Sequence, residues 1–226
     1  MLDGKVIDVQ VSLYAYPNAE FMEGKPYGSY VVTDDDSSID LKIFNEAVLK
    51  ALSPVPDGCT HMELFKKPDG EIVFLEIAAR PSFGFVPKMY EHYMGVDLEE
   101  MHYRCQMGLS LPAIKPLSER KESSVGWLWY PKISGEVTSL SKRLPIKSEH
   151  DIQYCVRATE KLEGAETLRD YVATVFMVNP DRAQLIADFN VMKSVRPVTI
   201  YPKPPLAIAT ELEHQEQGFY SLKNVA

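Results

Sequence analysis

The sequence predicts an α+β protein, an antiparallel sheet with helices on one side followed by a smaller α/β C-terminal domain. Three observations carry that prediction. Runs 61–67 and 71–78 are short, alternating and largely apolar, and Pro68-Asp69-Gly70 between them reads as a hairpin turn. Stretches 38–52 and 84–108 repeat their apolar residues at helical spacing on either side of that hairpin. Beyond a proline-bearing, mixed-charge segment, residues 125–130 begin a second set of elements with a strand apolar on both faces. The division expected is 1–110, a linker at 111–124, a small domain at 125–202 and a tail at 203–226.

Asp3-Gly4 opens the chain with a turn signal, and the alternation of 5–14 makes the next strand. Residues 17–36, with Gly24-Lys25-Pro26-Tyr27-Gly28 and three successive aspartates, read as a long loop. Asp34 to Asp36 lack the spaced ligands of a calcium loop, which leaves a solvated turn. Ser37 or Ser38 then caps a helix whose stripe runs through Ile39, Ile43 and Ala47, beside Leu41, Phe44 and Val48. Pro87 fits the first turn of a helix over 84–94 that Gly95 stops, and Asp97 caps a further helix to Gly108. His92 and His102 have no partner at metal-ligand spacing and read as packed or polar-face residues. Tyr90, Tyr93, Met94, Met101 and Met107 read as core. After the strand at 125–130, Gly135 turns the chain into a return strand at 136–140. Residues 152–158 and 171–178 are further strands, and Asn179 caps a helix to 192 with Pro180 at its first position. Ala183, Ile186, Ala187 and Asn190 form its spaced row, and 198–201 returns as a strand.

The hairpin brings one carboxylate to the middle of each apolar run. If Asp69 and Gly70 form a two-residue loop, Pro68 faces Glu71 and Glu63 stands directly against Glu76. Opposed Cβ atoms in an antiparallel pair are roughly 4.5–5.5 Å apart, where two carboxylates repel and one tends to hold a proton unless a cation separates them. One or two carboxylates plus substrate phosphates are the usual way a protein holds Mg²⁺. Arg80 stands four residues past Glu76, on the same face if the strand persists, and its planar fork suits a phosphate or a carboxylate. A strand glutamate is more ordinarily just solvated, and a Glu/Arg pair on one face is often a surface ion pair. The pair departs from that because Met62, Leu64, Leu75 and Ile77 take the other face while Phe65 and Phe74 flank the acids on their own.

The run HMELF, a hairpin, FLEIAARP and a helix closing with GVDL resemble the C-terminal half of an ATP-grasp domain. That is the fold of carboxylate ligases that activate an acid as an acyl phosphate, and the nearest pattern is that of the amino-acid ligase branch. The resemblance implies ATP and Mg²⁺, or Mn²⁺, as cofactors and a small carboxylate as substrate. It assigns Glu63 and Glu76 as metal ligands at the nucleotide phosphates, Arg80 as the catalytic arginine on the transferred phosphate or substrate carboxylate, and Phe65 as the floor beneath the nucleotide. It also implies an upstream lobe with the phosphate-covering loop and nucleotide lysines, which would precede Met1, and the β-α-β ending is similar to the C-terminal lid of these ligases. Three positions depart from the pattern. Ala78 stands where many members carry an asparagine ligand, Ser82-Phe83-Gly84 replaces a run of glycines, and Gly84-Phe85 replaces the Glu-His pair of biotin carboxylases, which disfavours bicarbonate chemistry.

Composition bounds the rest. With 226 residues, 45% of them hydrophobic, the chain can bury a sizeable core. A net charge of -8 without a lysine/arginine cluster argues against nucleic acid. Cys59, Cys105 and Cys155 are odd in number, widely spaced and without a CxxC pair, as expected of reduced thiols in a cytoplasmic protein. No basic-apolar leader and no run of 18 apolar residues points to a membrane. Three functions remain in view: an ATP-grasp ligase portion; a non-enzymatic or partner-dependent half-domain, with the upstream lobe or a second copy in a homodimer as partner; and, least supported, paired-carboxylate hydrolysis of a glycoside, for which the chain shows no complete catalytic scaffold.

Overall fold

The computed structural model describes residues 1–32, 36–120, 124–201 and 218–225. Its elements are β1 (Asp8–Tyr14), β2 (Tyr27–Val32), α1 (Asp36–Ala51), β3 (Thr60–Lys66), β4 (Ile72–Ala78), α2 (Val86–Met94), α3 (Leu98–Gln106) and α4 (Leu117–Arg120). There follow β5 (Ser124–Pro131), β6 (Gly135–Leu140), β7 (Glu149–Tyr154), β8 (Lys161–Leu162), β9 (Tyr171–Asn179), α5 (Arg182–Ser194), β10 (Val198–Tyr201) and β11 (Gly218–Val225). They form two compact units. Met1–Tyr14, Tyr30–Ser124 and Glu216–Ala226 make the first, Ala15–Ser29 and Val125–Gln215 the second, so the residues of β2 are shared between them.

In the first unit the strands lie in the order β4-β3-β11-β1, all antiparallel. One sheet face packs Val9, Val11, Met62 and Leu64 with Leu41 of α1. Because side chains alternate along a strand, the other face of β1 and β3 carries Gln10, Ser12, Tyr14, His61 and Glu63, and all five are buried. The chain start is held by the expected turn: Leu2 and Lys5 exchange both backbone hydrogen bonds at 2.9 Å, with Asp3 and Gly4 at φ 49° and 72°.

The expected helices form, and two of their expected caps are in place. Gly95 takes the left-handed cap of α2, and the Asp97 side chain accepts from the backbone N–H groups of Glu99 and Glu100 at the start of α3. The face of α1 differs, since its buried residues are Ser38, Leu41, Asn45 and Leu49 while Ile39 and Ile43 point outward. The buried polar residues Ser38 and Asn45 interrupt the apolar stripe expected on this helix. Met107 is also exposed rather than core.

Three stretches fold otherwise than expected. Residues 27–32, placed in a long loop, form β2. Residues 218–225, placed in the tail, form β11, which fills the position between β1 and β3. The linker holds α4, and its Arg120 is buried against Asp8 at 2.6 Å. The Asp34 to Asp36 turn lies outside the residues whose side chains are described.

In the second unit β5 is buried along its whole length, as its two apolar faces require. It has β2 and β9 as neighbours, and β7 pairs with β9. With both sides of β5 occupied, β6 cannot return on it; β6 joins β10 and β8 in a separate three-stranded sheet. The ending β9-α5-β10 therefore spans two sheets. The cap of α5 is Asp181, whose carboxylate accepts from Ala183 and Gln184, while Asn179 accepts from Asp181 one turn earlier. Its buried row is Leu185, Asp188, Phe189 and Met192, one residue or two off the expected one.

Candidate functional site: two opposed carboxylates

The hairpin sets Glu63 of β3 opposite Glu76 of β4. The loop that does so has three residues, not two. Lys67 faces Glu71 with its N–H donating to the Glu71 carbonyl at 2.8 Å, and Gly70 closes the turn at φ +89° by donating to the Lys67 carbonyl at 2.9 Å. Leu64 then pairs with Phe74, and an extra residue, Leu75, sits between that pair and Glu63↔Glu76. The β-bulge restores the register that the longer loop had shifted. It also moves Phe74 from the face of the acids to that of Leu64, and both Phe74 and Leu75 are exposed on this edge strand.

The two acids live in different surroundings. Glu76 is exposed, whereas Glu63 is buried. The Tyr14 hydroxyl donates to Glu63 Oε1 at 3.0 Å, and His61 Nε2 lies 3.4 Å from the same oxygen, an ion pair whenever the imidazole is protonated. Ser221 and Lys223 of β11 occupy the register positions opposite Glu63 and His61. Phe65, two residues along β3 on the strand face of Glu63, is half-buried.

Arg80 does not extend that row. The strand ends at Ala78, and Arg80 lies in a bend, exposed, with its NH1 donating to the carbonyl of Pro81 at 2.9 Å. Pro81 cannot donate to a strand ladder and restricts the residue before it, which accounts for the early end.

Tyr14 and His61 were not singled out in the sequence. The signal for His61 was its spacing of two residues from Glu63 on an alternating strand; none in the sequence brings Tyr14 to β3. His102 behaves as expected of a packed residue. Its Nδ1 accepts from the Cys59 backbone N–H at 3.0 Å, and burial, then the positive chain terminus, lowers its pKa.

Among the described residues no group of three or more His, Cys, Asp or Glu side chains is placed to hold a metal. A pair of opposed carboxylates fits a hard cation that completes its shell with water and phosphate oxygens, and does not fit a metal caged wholly by protein.

The fold is that of part of an ATP-grasp ligase. The structure superposes on an L-amino acid ligase from Bacillus licheniformis with a TM-score of 0.53 at 13% identity, covering 85% of this chain and 50% of that one. Against phosphoribosylglycinamide synthetase from Anaerococcus prevotii the TM-score is 0.53 at 13% identity, covering 85% and 52%. In sequence, 99 residues are 28% identical to the L-arginine-specific L-amino acid ligase of Bacillus subtilis, 43% of this chain and 24% of that protein. The chain thus spans about half the length of the solved structures it matches. No family model matches it. No helix among the described residues is long and apolar enough to cross a membrane.

Proposed function

We propose that the chain supplies the metal and phosphate side of an ATP-dependent carboxylate–amine ligase, in which a carboxylate is activated as an acyl phosphate and attacked by an amine. The observation that carries this reading is the register of Glu63 against Glu76 on adjacent antiparallel strands. Glu63 and Glu76 hold Mg²⁺, with Mn²⁺ as an equivalent. Such an ion, when bound, neutralises phosphate charge as the phosphoryl group moves. Tyr14 and His61 fix the orientation of the buried Glu63 carboxylate, which leaves the exposed Glu76 to follow the ion. Arg80 reaches the transferred phosphate or the substrate carboxylate by exchanging the Pro81 carbonyl for that ligand, and Phe65 gives the nucleotide an apolar floor. Similarity to an arginine-specific amino-acid ligase supports an amino acid as the carboxylate substrate.

The test is ATP-dependent Mn²⁺ binding, followed by electron paramagnetic resonance on the protein as its own gene expresses it, together with ATP turnover in the presence of amino-acid mixtures. Binding that weakens at least tenfold in Glu76→Gln, with loss of turnover, is expected. Wild-type turnover in that variant would remove Glu76 from the mechanism. Absence of ATP-dependent Mn²⁺ binding would overturn the ligase reading in favour of a binding module.

A further inference from the structure

The second unit contains a cavity of about 310 Å³ lined on one side by Tyr16 and residues 23–26 and on the other by Tyr130 and residues 193–196. Arg196 NH2 ties the two walls together by donating to the Gly24 carbonyl at 2.8 Å, and within the second wall the buried Tyr130 hydroxyl donates to the Met192 carbonyl at 3.0 Å. Three cations line it: Lys25, Lys193 and Arg196. The Lys25 and Lys193 ammonium groups stand 4.9 and 4.6 Å from the centre of the same Tyr16 ring.

None of the three has a carboxylate within 4.0 Å among the described residues. Glu23 also lines the cavity, and Glu20 acts on Lys193 only at longer range. In a chain with 32 acidic and 24 basic residues, three convergent cations with no carboxylate among the described residues within that distance run against the overall balance. Burial, then the charge of Lys25, lowers the pKa of Lys193, so its ammonium is held against an opposing field. A lysine in the last turn of a helix is favoured by the helix dipole, and an arginine can simply tie two loops together. Those roles account for Lys193 and Arg196 singly. They do not account for Lys25 being directed at the same ring as Lys193.

We propose that this cavity is a binding site for a small molecule bearing a phosphate group. Two ammonium groups and a guanidinium fork match a dianion better than a single carboxylate, and a phosphate monoester carries close to two negative charges near neutral pH. The volume leaves room beyond the phosphate for an organic portion. The site shares no residue with Glu63, Glu76, Arg80 or Phe65, and it stands or falls independently of the ligase reading.

The test is titration of the full chain with inorganic phosphate in the presence of EDTA, at constant ionic strength maintained with chloride, read by calorimetry and by ³¹P line broadening. Saturable one-to-one binding is expected, weakened at least tenfold by Lys193→Gln and by Lys25→Gln and unchanged by Glu76→Gln. Tryptophan fluorescence checks that each variant is folded; because Lys25 is exposed, its variant carries the test should Lys193→Gln fail to fold. Binding that does not saturate, or that is equally strong in a folded Lys25→Gln variant, overturns the proposal.

Discussion

The Tyr14 hydroxyl donates to Glu63 Oε1 at 3.0 Å, joining the end of β1 to the middle of β3 across the position of β11. A hydrogen bond to a buried carboxyl group has two effects. It offsets part of the cost of burial, and it holds one oxygen in place while the other remains to be used. Tyr14→Phe is expected to cost about 1–2 kcal/mol in urea unfolding followed by far-ultraviolet circular dichroism. Glu63→Gln keeps an acceptor for Tyr14 and is expected to cost less, yet to weaken ATP-dependent Mn²⁺ binding at least tenfold. A Glu63→Gln variant that binds Mn²⁺ as the parent does would take Glu63 out of the metal site and leave it a structural residue.

Asp8 and Arg120 form another polar link of the first unit, with Arg120 buried and Asp8 partly so. Arg120 donates to Asp8 Oδ2 and to the Lys115 carbonyl, both at 2.6 Å, and Gln10 donates to the other Asp8 oxygen. Removing one partner strands the other charge away from water, whereas removing both leaves only a packing change. Asp8→Ala is expected to cost about 3 kcal/mol, and the Asp8→Ala, Arg120→Met double variant distinctly less than the sum of the single ones. Strict additivity in circular-dichroism unfolding would show that the pair is not coupled.

The opposed carboxylates were legible for a reason only partly correct. A two-residue turn with continuous pairing would by itself set Glu63 against Glu76. The structure has one more residue in the turn and one more in β4, and the two offsets cancel at Glu63 and Glu76. Turn residues constrain loop length only to within a residue, because Asp-Gly serves both a two-residue loop and the end of a three-residue one. A bulge leaves no mark in an apolar run such as Phe74-Leu75. The helices read well since their caps are local, as Gly95 and Asp97 show. Strands β2 and β11 did not, because strand identity depends on what lies alongside. Tyr-Gly-Ser is a turn by composition and a strand only where Gly28 lets the backbone approach Trp127. Arg80 follows the same logic, since Pro81 limited a strand that the apolar pattern alone would have prolonged.

Asp188 ties α5 to the residues before β7. Its Oδ2 accepts from the Ser148 N–H, the Ser148 hydroxyl and the Lys147 N–H, and Oδ1 accepts from Gln184. Burial pushes its pKa up, but these hydrogen bonds outweigh it and leave the carboxyl below its ordinary value. A depressed folded-state value means that the contribution is complete above the unfolded value of about 3.9 and is lost as pH falls through the folded one. Asp188→Asn is expected to cost about 2 kcal/mol at pH 7 and less at pH 3. Both tryptophans, Trp127 and Trp129, belong to the second unit, so their fluorescence in urea reads this change directly. A cost that does not vary with pH would place the effect in packing and not in the charge.

Two glycines separate close approach from backbone strain. At Gly28 a Cβ would lie 2.0 Å from the Trp127 carbonyl oxygen and 2.8 Å from Leu128 Cα, both backbone atoms of a buried strand that cannot yield. At Gly70 nothing lies within 4 Å, and only the φ of +89° opposes a side chain. Gly28→Ala is therefore expected to cost more than about 3 kcal/mol, seen as loss of the tryptophan unfolding transition or a steep fall in its midpoint. Gly70→Ala is expected to cost about 1–2 kcal/mol by circular dichroism and to leave the Glu63–Glu76 register in place, since the bulge at Leu75 and the pairing of Lys67 with Glu71 do not depend on the missing Cβ. The reverse order of these two costs would show that β2 can move away from β5, and that Gly28 serves the turn before it instead of the contact.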